Sequence, residues 1–324
     1  MGDSSHDTAP AFGIDPLNPK QRKMAIGALL AVTCVWGATF IWMKQALNAL
    51  QPEIETYGNT RVVAVLVAAR FAVAAVLMFA LFPKARAALT DSEQWGGGTI
   101  LGGLMLVGFV TQMVGLDEIN PAVSAFLTSL YVVFTALITV AMTKKRPSRV
   151  LILGVVLATF GAGFIQGPPH LTWGLGEILT VFCAVFFALH IIYTQKITRA
   201  MDPIGVTLTS FTVVAIGAVA LTFILGGGRT SKEWSFIFAD GVFIPVLCLG
   251  IGGSLFCLLL LNMFQRYLHP IQAAIIYAFE PVWATIYGLG LDLVEWSTWI
   301  FVGGSALFLG NIVVEFFTQG DSED

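Results

Sequence analysis

Three ionisable side chains, Lys44, Arg70 and Glu280, lie inside long apolar stretches of this 324-residue chain. A charge in apolar surroundings is costly, so its presence points to a substrate, ion or proton pathway. Pro281 follows Glu280 and cannot donate a hydrogen bond to the Tyr277 carbonyl, which predicts a kink beside the carboxyl. Two interpretations of Glu280 stay open. It is a proton carrier or a counter-charge for a substrate ammonium, or it is half of a structural ion pair with Arg70.

The other polar residues in apolar stretches also have two interpretations each. Arg70 cannot release a proton at ordinary pH, so a structural role is the simpler one for it. Lys44 either extends to the membrane surface from the outer end of its helix or receives a substrate carboxylate. His190 is either a satisfied core histidine or a proton relay. The candidates for coupling or hinge motion are Arg70, Glu280 and Pro281.

Polar and aromatic side chains recur at helical spacing near these charges. Thr128, Tyr131 and Thr135 follow one another at steps of three and four residues, which places them on one helix face. Four apolar segments carry such faces, and together they predict one cavity, although the aromatic rings can equally pack helices. The predicted lining residues are Trp36, Thr39, Phe40, Lys44, Thr128, Tyr131, Thr135, Phe187, His190, Tyr277, Glu280 and Trp283.

The composition identifies the solvent of these helices. Hydrophobic residues make up 56% of the chain and charged residues only 11%, whereas soluble proteins carry about 25% charged residues. A surface so poor in charge requires lipid, so we expect an integral membrane protein. The net charge of −3 provides no basic surface for nucleic acid.

Signatures of catalysis and of cofactors are missing from the sequence. The four cysteines lack metal-ligand or disulfide spacing, and we interpret them as packing residues. The sequence has no phosphate-binding GxxxxGK[ST] loop, no HExxH, no GxSxG and no acidic cluster suited to a metal. We therefore predict no catalytic residue, metal or cofactor, and a protein that is not an enzyme.

Apolar runs predict an all-α fold with ten transmembrane helices. The runs cover residues 24–47, 61–82, 96–116, 121–142, 150–167, 173–195, 203–225, 241–264, 270–291 and 297–318. The positive-inside rule places both termini in the cytoplasm, because most lysines and arginines lie in the N-terminal tail and after even-numbered spans. These residues are Lys20, Arg22, Lys23, Lys84, Arg86, Lys144, Lys145, Arg146, Arg149, Lys196, Arg199 and Arg266.

The second half of the chain repeats the first: an offset of 149 residues aligns spans three to five with spans eight to ten, and an offset near 151 aligns span one with span six. The first offset aligns Pro121 with Pro270 and Gly154 with Gly303. Each repeat has five spans, an odd number, so the second copy enters the bilayer from the opposite side, as in many secondary transporters. The predicted division is a polar cytoplasmic tail at 1–23, repeats at 24–167 and 173–318, and a cytoplasmic C-terminus at 319–324. Spans one and six lack an internal proline, so mostly continuous helices are expected.

Several of these motifs resemble a known family. Trp36-Gly37-Ala38-Thr39-Phe40 with Lys44, Arg70-Phe71 and Glu280-Pro281 are similar to motifs of EamA-type members of the drug/metabolite transporter superfamily. The resemblance covers nearly all of residues 24–318 and occurs once in each half. The chain departs from the family at Tyr131-Val132, where a Thr-Pro pair is common. This difference places a tyrosine ring at the predicted cavity and leaves a single proline kink.

Within that family, the chain looks most like exporters of aromatic amino acids. The resemblance implies export of aromatic or hydrophobic amino acids and related small metabolites across the inner membrane by alternating access. Its partners would be a small-molecule substrate and the lipid bilayer, and nothing in the sequence indicates an oligomeric state. Nucleotide sugars or drug-like metabolites are the alternative substrates. An intramembrane enzyme and a ligand-sensing membrane subunit are the alternative functions.

Overall fold

The structure, a computed structural model, describes residues 19–165, 167–168, 173–228, 233–292 and 295–317. Most of the predicted N-terminal tail and the predicted C-terminus at 319–324 lie outside these ranges. Within them the chain is helical, and the only β-type pairing is an isolated bridge between Ile165 and Gly167. The chain is therefore an all-α protein, as predicted.

The described residues form ten helical spans, some of them interrupted. We number them α1 Pro19–Ala49, α2 Asn59–Leu81, α3 Ser92–Glu118, α4 Pro121–Ser129 with Tyr131–Thr143, α5 Arg149–Phe164, α6 Leu175–Ala200, α7 Pro203–Leu225, α8 Phe243–Cys248 with Leu249–Phe256 and Cys257–Phe264, α9 Pro270–Tyr277 with Glu280–Gly290, and α10 Thr298–Phe317. Short helices at Gln51–Tyr57 and Pro83–Ala87 and 3₁₀ turns at Ala88–Thr90, Glu233–Phe238 and Gln265–Tyr267 connect them.

The helices have the length and the surface that a bilayer requires. Seven spans (α1 to α4 and α6 to α8) are long and apolar enough to cross a membrane, α5 and α10 are shorter apolar helices, and α9 consists of two short pieces. Large apolar side chains such as Val76, Ile216 and Phe301 are more than half exposed on the outside of the bundle. A soluble protein would not leave so many of these side chains in water. The exposed face is therefore the lipid face.

The two five-helix repeats are interleaved rather than side by side. The most extensive contacts pair α3 with α6, α5 with α10 and α2 with α7. In the repeat, α3 corresponds to α8, α4 to α9 and α6 to α1. The contact of α3 with α6 thus corresponds to the contact of α8 with α1, which is present, and the contact of α4 with α6 corresponds to the observed contact of α9 with α1. The fold is thus two inverted five-helix repeats that share one helical bundle.

Two spans are broken at equivalent places, contrary to the expectation of mostly continuous helices. Helix α4 is interrupted at Leu130, and α9 is interrupted at Ala278 and Phe279. Leu130 and Phe279 are 149 residues apart, so the break recurs in both repeats. Pro281 explains only the second break, since it occupies the first turn of the new helix, where a missing N–H costs nothing. The continuity expected of α1 and α6 is observed.

Close approach of α5 and α10 depends on glycine. A side chain at Gly303 would place its Cβ 2.6 Å from the Gly161 carbonyl oxygen and equally close to the Ile165 backbone nitrogen. A Cβ added to the next residue, Gly304, would have no atom within 4 Å. Small residues that let backbones touch are a frequent means of helix association in membranes. The Gly303 contact joins the last helix of one repeat to the last helix of the other.

These adjacent glycines allow a matched test of the contact. We expect Gly303→Ala to lower the thermal unfolding midpoint of the detergent-purified protein by at least about 4 °C, because the helices must separate. Gly304→Ala should leave the midpoint unchanged or raise it slightly, since alanine favours a helix over glycine. Equal midpoints for the two variants would show that this contact does not stabilise the bundle.

The first turn of α9 is capped by a histidine outside the membrane spans. The His269 Nδ1 atom accepts a hydrogen bond from the Ile271 N–H at 3.3 Å. Burial, together with the positive charge of Arg199, lowers the pKa of His269 from 6.5 to about 4. The neutral ring is thus the form that the folded state favours. Asn120 occupies the equivalent position in the first repeat, 149 residues earlier.

This pKa shift predicts a pH-dependent stability. A group whose pKa is lower in the folded state stabilises the fold above its unfolded pKa, and this contribution is lost as the pH falls towards the folded pKa. The thermal midpoint should therefore fall between about pH 6.5 and pH 4. His269→Asn keeps a capping residue without titration. Its midpoint should fall less over the same range, and parallel curves for the two proteins would contradict the assignment.

Candidate functional site

A cavity lies at the centre of the bundle, where both repeats contribute walls. Its lining comes from α1, α2, α3, α4, α6, α8 and α9. The lining residues are Trp36, Thr39, Arg70, Met105, Phe109, Gln112, Thr128, Tyr131, Phe187, His190, Ile191, Leu258, Leu261, Tyr277 and Glu280. One cation, one carboxyl and several aromatic rings thus surround a single space inside the membrane-spanning region.

The broken helices deliver two of these residues. Tyr131 is the first residue after the break in α4, and Glu280 is the first residue after the break in α9. The two positions are 149 residues apart and are therefore repeat equivalents. Interrupted helices at corresponding places of two repeats are typical of transporter binding sites, because backbone outside a helix is tolerated where it borders a cavity.

Arg70 is held rigidly from one side of the cavity. Its Nε donates a hydrogen bond to the Ser254 hydroxyl at 2.6 Å, and its guanidinium carbon lies 4.4 Å from the Phe109 ring centroid. Ser254 belongs to the π-helical stretch of α8, a distortion that is often found at functional sites. A side chain at Gly253 would meet Thr39 at 2.8 Å and the Arg70 terminal nitrogen at 3.1 Å. Glycine at this position therefore makes room for the guanidinium.

Glu280 is not paired with Arg70 in this structure. Both side chains are buried, with exposed fractions of 7% and 1%. Among the described residues, no hydrogen bond and no ion pair within 4.0 Å joins the two or reaches the carboxyl. The structural ion pair considered from the sequence is thus not formed. The Arg70 guanidinium and the Glu280 carboxyl face the same cavity, and each has donors or acceptors that a bound molecule can still use.

Aromatic rings form much of the remaining wall. The Trp36 and Tyr277 ring centroids are 5.5 Å apart, and those of Phe109 and Phe187 are 5.1 Å apart. The Trp36 Nε1 donates to the Gly253 carbonyl at 3.1 Å, which fixes the orientation of the indole. Rings held in this way offer flat apolar surfaces against which an apolar group can pack.

A second group of cavity residues is polar and uncharged. Gln112 donates to the Thr128 hydroxyl at 3.3 Å, and the Thr194 hydroxyl lies 3.5 Å from the His190 Nδ1. The Tyr131 hydroxyl and the His190 Nε2 are buried and have no hydrogen-bond partner among the described residues. Buried polar atoms are normally paired, so these two atoms can accept a partner from a bound molecule.

Most of the lining residues proposed from the sequence surround this cavity. Eight of the twelve line it: Trp36, Thr39, Thr128, Tyr131, Phe187, His190, Tyr277 and Glu280. Arg70, proposed for coupling, also lines it. The other coupling candidate, Pro281, is buried in the first turn of the second α9 piece.

Four proposed lining residues lie elsewhere. Phe40 is fully buried in the apolar core, and Thr135 is buried on α4 with no partner for its hydroxyl among the described residues. The Trp283 Nε1 donates to the Thr33 hydroxyl at 3.2 Å. Lys44 donates to backbone carbonyls at the end of α3, for example to Asp117 at 2.7 Å. This bond differs from both interpretations that the sequence left open for Lys44.

Sequence reasoning missed the contribution of α3 and α8. These helices provide Met105, Phe109 and Gln112, and Leu258 and Leu261. Gln112 carried a usable signal, since it is an amide within an apolar span. The four others are apolar residues in apolar helices, which look the same whether they face lipid, core or cavity.

Comparisons with known proteins agree with this architecture. The sequence profile of the EamA-like transporter family matches residues 23–166 and again residues 174–315. An uncharacterized transporter from Archaeoglobus fulgidus is 27% identical over 295 residues, which cover 91% of this chain and 86% of the relative. A solved structure titled only "Crystal structure of protein" superimposes with a TM-score of 0.69 at 15% identity, covering 92% of this chain and 98% of that one. The likeness to this structure concerns the fold alone.

The two profile matches cover most of the chain, and each corresponds to one five-helix unit that contributes walls to the central cavity. The chain belongs to the EamA-like transporter family.

Proposed function

We propose that the protein is a secondary transporter that exports amino acids with aromatic or hydrophobic side chains, and related small metabolites, by alternating access. One observation carries this proposal. Arg70 and Glu280 face the same buried cavity without pairing with each other, and aromatic rings form the walls beside them.

This arrangement complements the two charges of an amino acid. A guanidinium binds a carboxylate well because its planar array of N–H groups matches the two oxygens. Ser254 occupies the Nε of Arg70, and one terminal nitrogen makes only a long contact of 4.0 Å with the Met43 sulfur, so N–H groups remain as donors. The Glu280 carboxyl is a suitable partner for the substrate ammonium. The aromatic walls then receive the apolar side chain, for which burial is favourable.

The sequence supports the orientation and the mechanism of transport. The excess of lysine and arginine after even-numbered spans supports cytoplasmic termini, whereas the inner-membrane location rests on the family resemblance. The inverted repeats support alternating access, in which the cavity opens first to one side and then to the other. Export rather than uptake rests on the resemblance to amino-acid exporters.

Glu280 also provides a means of coupling to protons. A carboxylate in an apolar site without a hydrogen-bond partner is costly, so the group is stable when it holds a proton or faces a cation. A substrate ammonium and a proton would then compete for the same carboxyl. Export of the substrate would be accompanied by entry of a proton.

The roles of Arg70 and Glu280 can be separated with three ligands that carry the same phenyl ring but different charges. Phenylalanine carries both charges, phenethylamine lacks the carboxylate, and 3-phenylpropionate lacks the ammonium. For the wild-type protein we expect phenylalanine to bind at least about tenfold more tightly than either analogue, because each charge gains a charge-assisted hydrogen bond. Binding is measured with the purified protein by the ligand-induced shift of its thermal midpoint.

The two substitutions should alter this preference in opposite ways. Arg70→Gln should remove the advantage of phenylalanine over phenethylamine, and Glu280→Gln should remove its advantage over 3-phenylpropionate. Glu118→Gln is the matched control, since Glu118 is exposed outside the cavity. A wild-type protein that binds all three ligands alike, or none of them, would refute recognition of a zwitterion.

A second prediction concerns flux and its coupling. Vesicles reconstituted with the purified chain should take up labelled phenylalanine saturably, and an inward-directed or outward-directed pH gradient should change the initial rate severalfold. With Glu280→Gln the gradient should have no effect, because an amide does not titrate. If the gradient leaves the wild-type rate unchanged, facilitated diffusion replaces proton exchange. Absence of any saturable flux would favour the sensing subunit instead.

A further inference from the structure

About one helical turn beyond the cavity-lining residues Thr39 on α1 and Ile191 on α6, polar side chains bridge to a facing helix. At the outer end, the Lys44 ammonium on α1 donates to the carbonyls of Leu116 at 2.9 Å, Asp117 at 2.7 Å and Ile119 at 3.5 Å. The last carbonyls of a helix lack intrahelical donors and carry partial negative charge. A cation there forms a specific contact, which we call the outer clamp.

A corresponding contact lies beyond the cavity lining at the predicted cytoplasmic end of the bundle. Gln195 on α6 donates to the Leu268 carbonyl just beyond α8, and Gln265 at the end of α8 donates to the Ile191 carbonyl of α6. Arg199 adds a bond from its Nε to the Arg266 carbonyl at 2.8 Å. We call this set the inner clamp.

The two clamps are related by the internal repeat. Gln195 follows Lys44 by 151 residues, the offset that aligns α1 with α6, and Leu268 follows Ile119 by 149 residues, the offset that aligns α3, α4 and α5 with α8, α9 and α10. The structure thus places the same kind of contact on opposite membrane faces. The chemistry differs, since the outer clamp uses an ammonium and the inner clamp uses mainly amides.

Each clamp joins helices that belong to different sides of the cavity. Helix α1 packs chiefly against α8 and α9, whereas α3 packs against α6 and α7. The contact between α1 and α3 is small by comparison, and Lys44 forms its polar part. At the other face, the contact between α6 and the end of α8 is likewise small, and Gln195 and Gln265 form its polar part. Separation of the two sides at either end must therefore break the clamp at that end.

The inner clamp is also connected to the cavity wall. The Tyr277 hydroxyl donates to the Gln265 Oε1 at 2.9 Å, while the Tyr277 ring packs against Trp36. The corresponding outer positions are Thr128 for Tyr277 and Leu116 for Gln265, and a leucine cannot form this link. A molecule against the Tyr277 ring is thus one side chain away from the inner clamp.

We propose that the outer clamp and the inner clamp are the two gates of the transport cycle, and that Gln265 is the positioning residue that links Tyr277 to the inner gate. This inference rests on the proposed function. Both clamps are formed in this structure. Transport breaks one clamp at a time, and water replaces its hydrogen bonds at a modest net cost, so each gate reopens reversibly.

The test measures access to the cavity from each side and requires no substrate. Met105→Cys places a reporter thiol in the cavity lining, after replacement of Cys34, Cys183, Cys248 and Cys257. A membrane-impermeant maleimide is applied to either face of reconstituted vesicles, and the labelling rate is recorded. Lys44→Met should raise labelling from outside by at least about tenfold and lower labelling from the cytoplasmic face.

Gln195→Leu combined with Gln265→Leu should have the opposite effect, and Tyr277→Phe should raise cytoplasmic labelling in the same direction. Lys44→Arg keeps a cationic donor and should restore most of the outer closure. Gln45→Leu and Lys196→Met are the matched controls, since each lies next to a clamp residue but is exposed. Their labelling should equal that of the parent protein.

Labelling that rises from both faces, or from neither, in the clamp variants would overturn the assignment of gates. This outcome is distinct from a failure of the proposed function. Side-specific labelling without phenylalanine flux would leave the gates in place and refute only the substrate. Phenylalanine flux, together with labelling that the clamp substitutions do not change, would leave the substrate in place and refute the gates.

Discussion

The interior of a bilayer offers no water, so a buried charge or an interruption of a helix is tolerated only where the protein or a bound molecule supplies its partner, or where it borders a cavity. The interruptions of this chain are not scattered. The breaks in α4 and α9 border the central cavity, the π-helical stretch of α8 contacts the cavity residue Arg70, and each of the three carries a polar residue at this point. These residues are Tyr131, Glu280 and Ser254, the last of which holds Arg70. The requirement that buried polar groups find a hydrogen-bond partner thus places them around the cavity.

The internal repeat provides a symmetric frame, but equivalent positions carry different chemistry. Tyr131 corresponds to Glu280, and Lys44 corresponds to Gln195. In the proposed transport cycle, the symmetry of the backbone would let the bundle open towards either membrane face. The asymmetry of the side chains places the carboxyl on one side of the cavity, an ammonium in the outer clamp, and two amides with a guanidinium in the inner clamp. A symmetric fold therefore supports a cycle whose two half-reactions differ.

Much of this architecture could be predicted because it follows from periodicity and composition. Apolar length predicts the spans, and helical spacing placed Thr128, Tyr131 and Tyr277 on faces that the structure brings together. Other features depend on contacts between distant segments. No local signal distinguishes Leu258 as a cavity residue, and the partner of Lys44 is known only once the end of α3 is positioned. The break at Leu130 has no proline beside it to predict it; the Ser129 hydroxyl donates to the Phe126 carbonyl at this point.

The absence of an ion pair between Arg70 and Glu280, one of the two interpretations that the sequence left open, is itself informative. Two opposite charges that are buried in one cavity gain much from pairing, and replacing such a pair by apolar residues often costs a protein nothing. This chain retains both charges, keeps them apart, and fixes Arg70 with Ser254 and the Phe109 ring. A purely structural role does not require that separation. A ligand with one charge of each sign does, because it completes both interactions at once and leaves neither charge unpaired in the membrane.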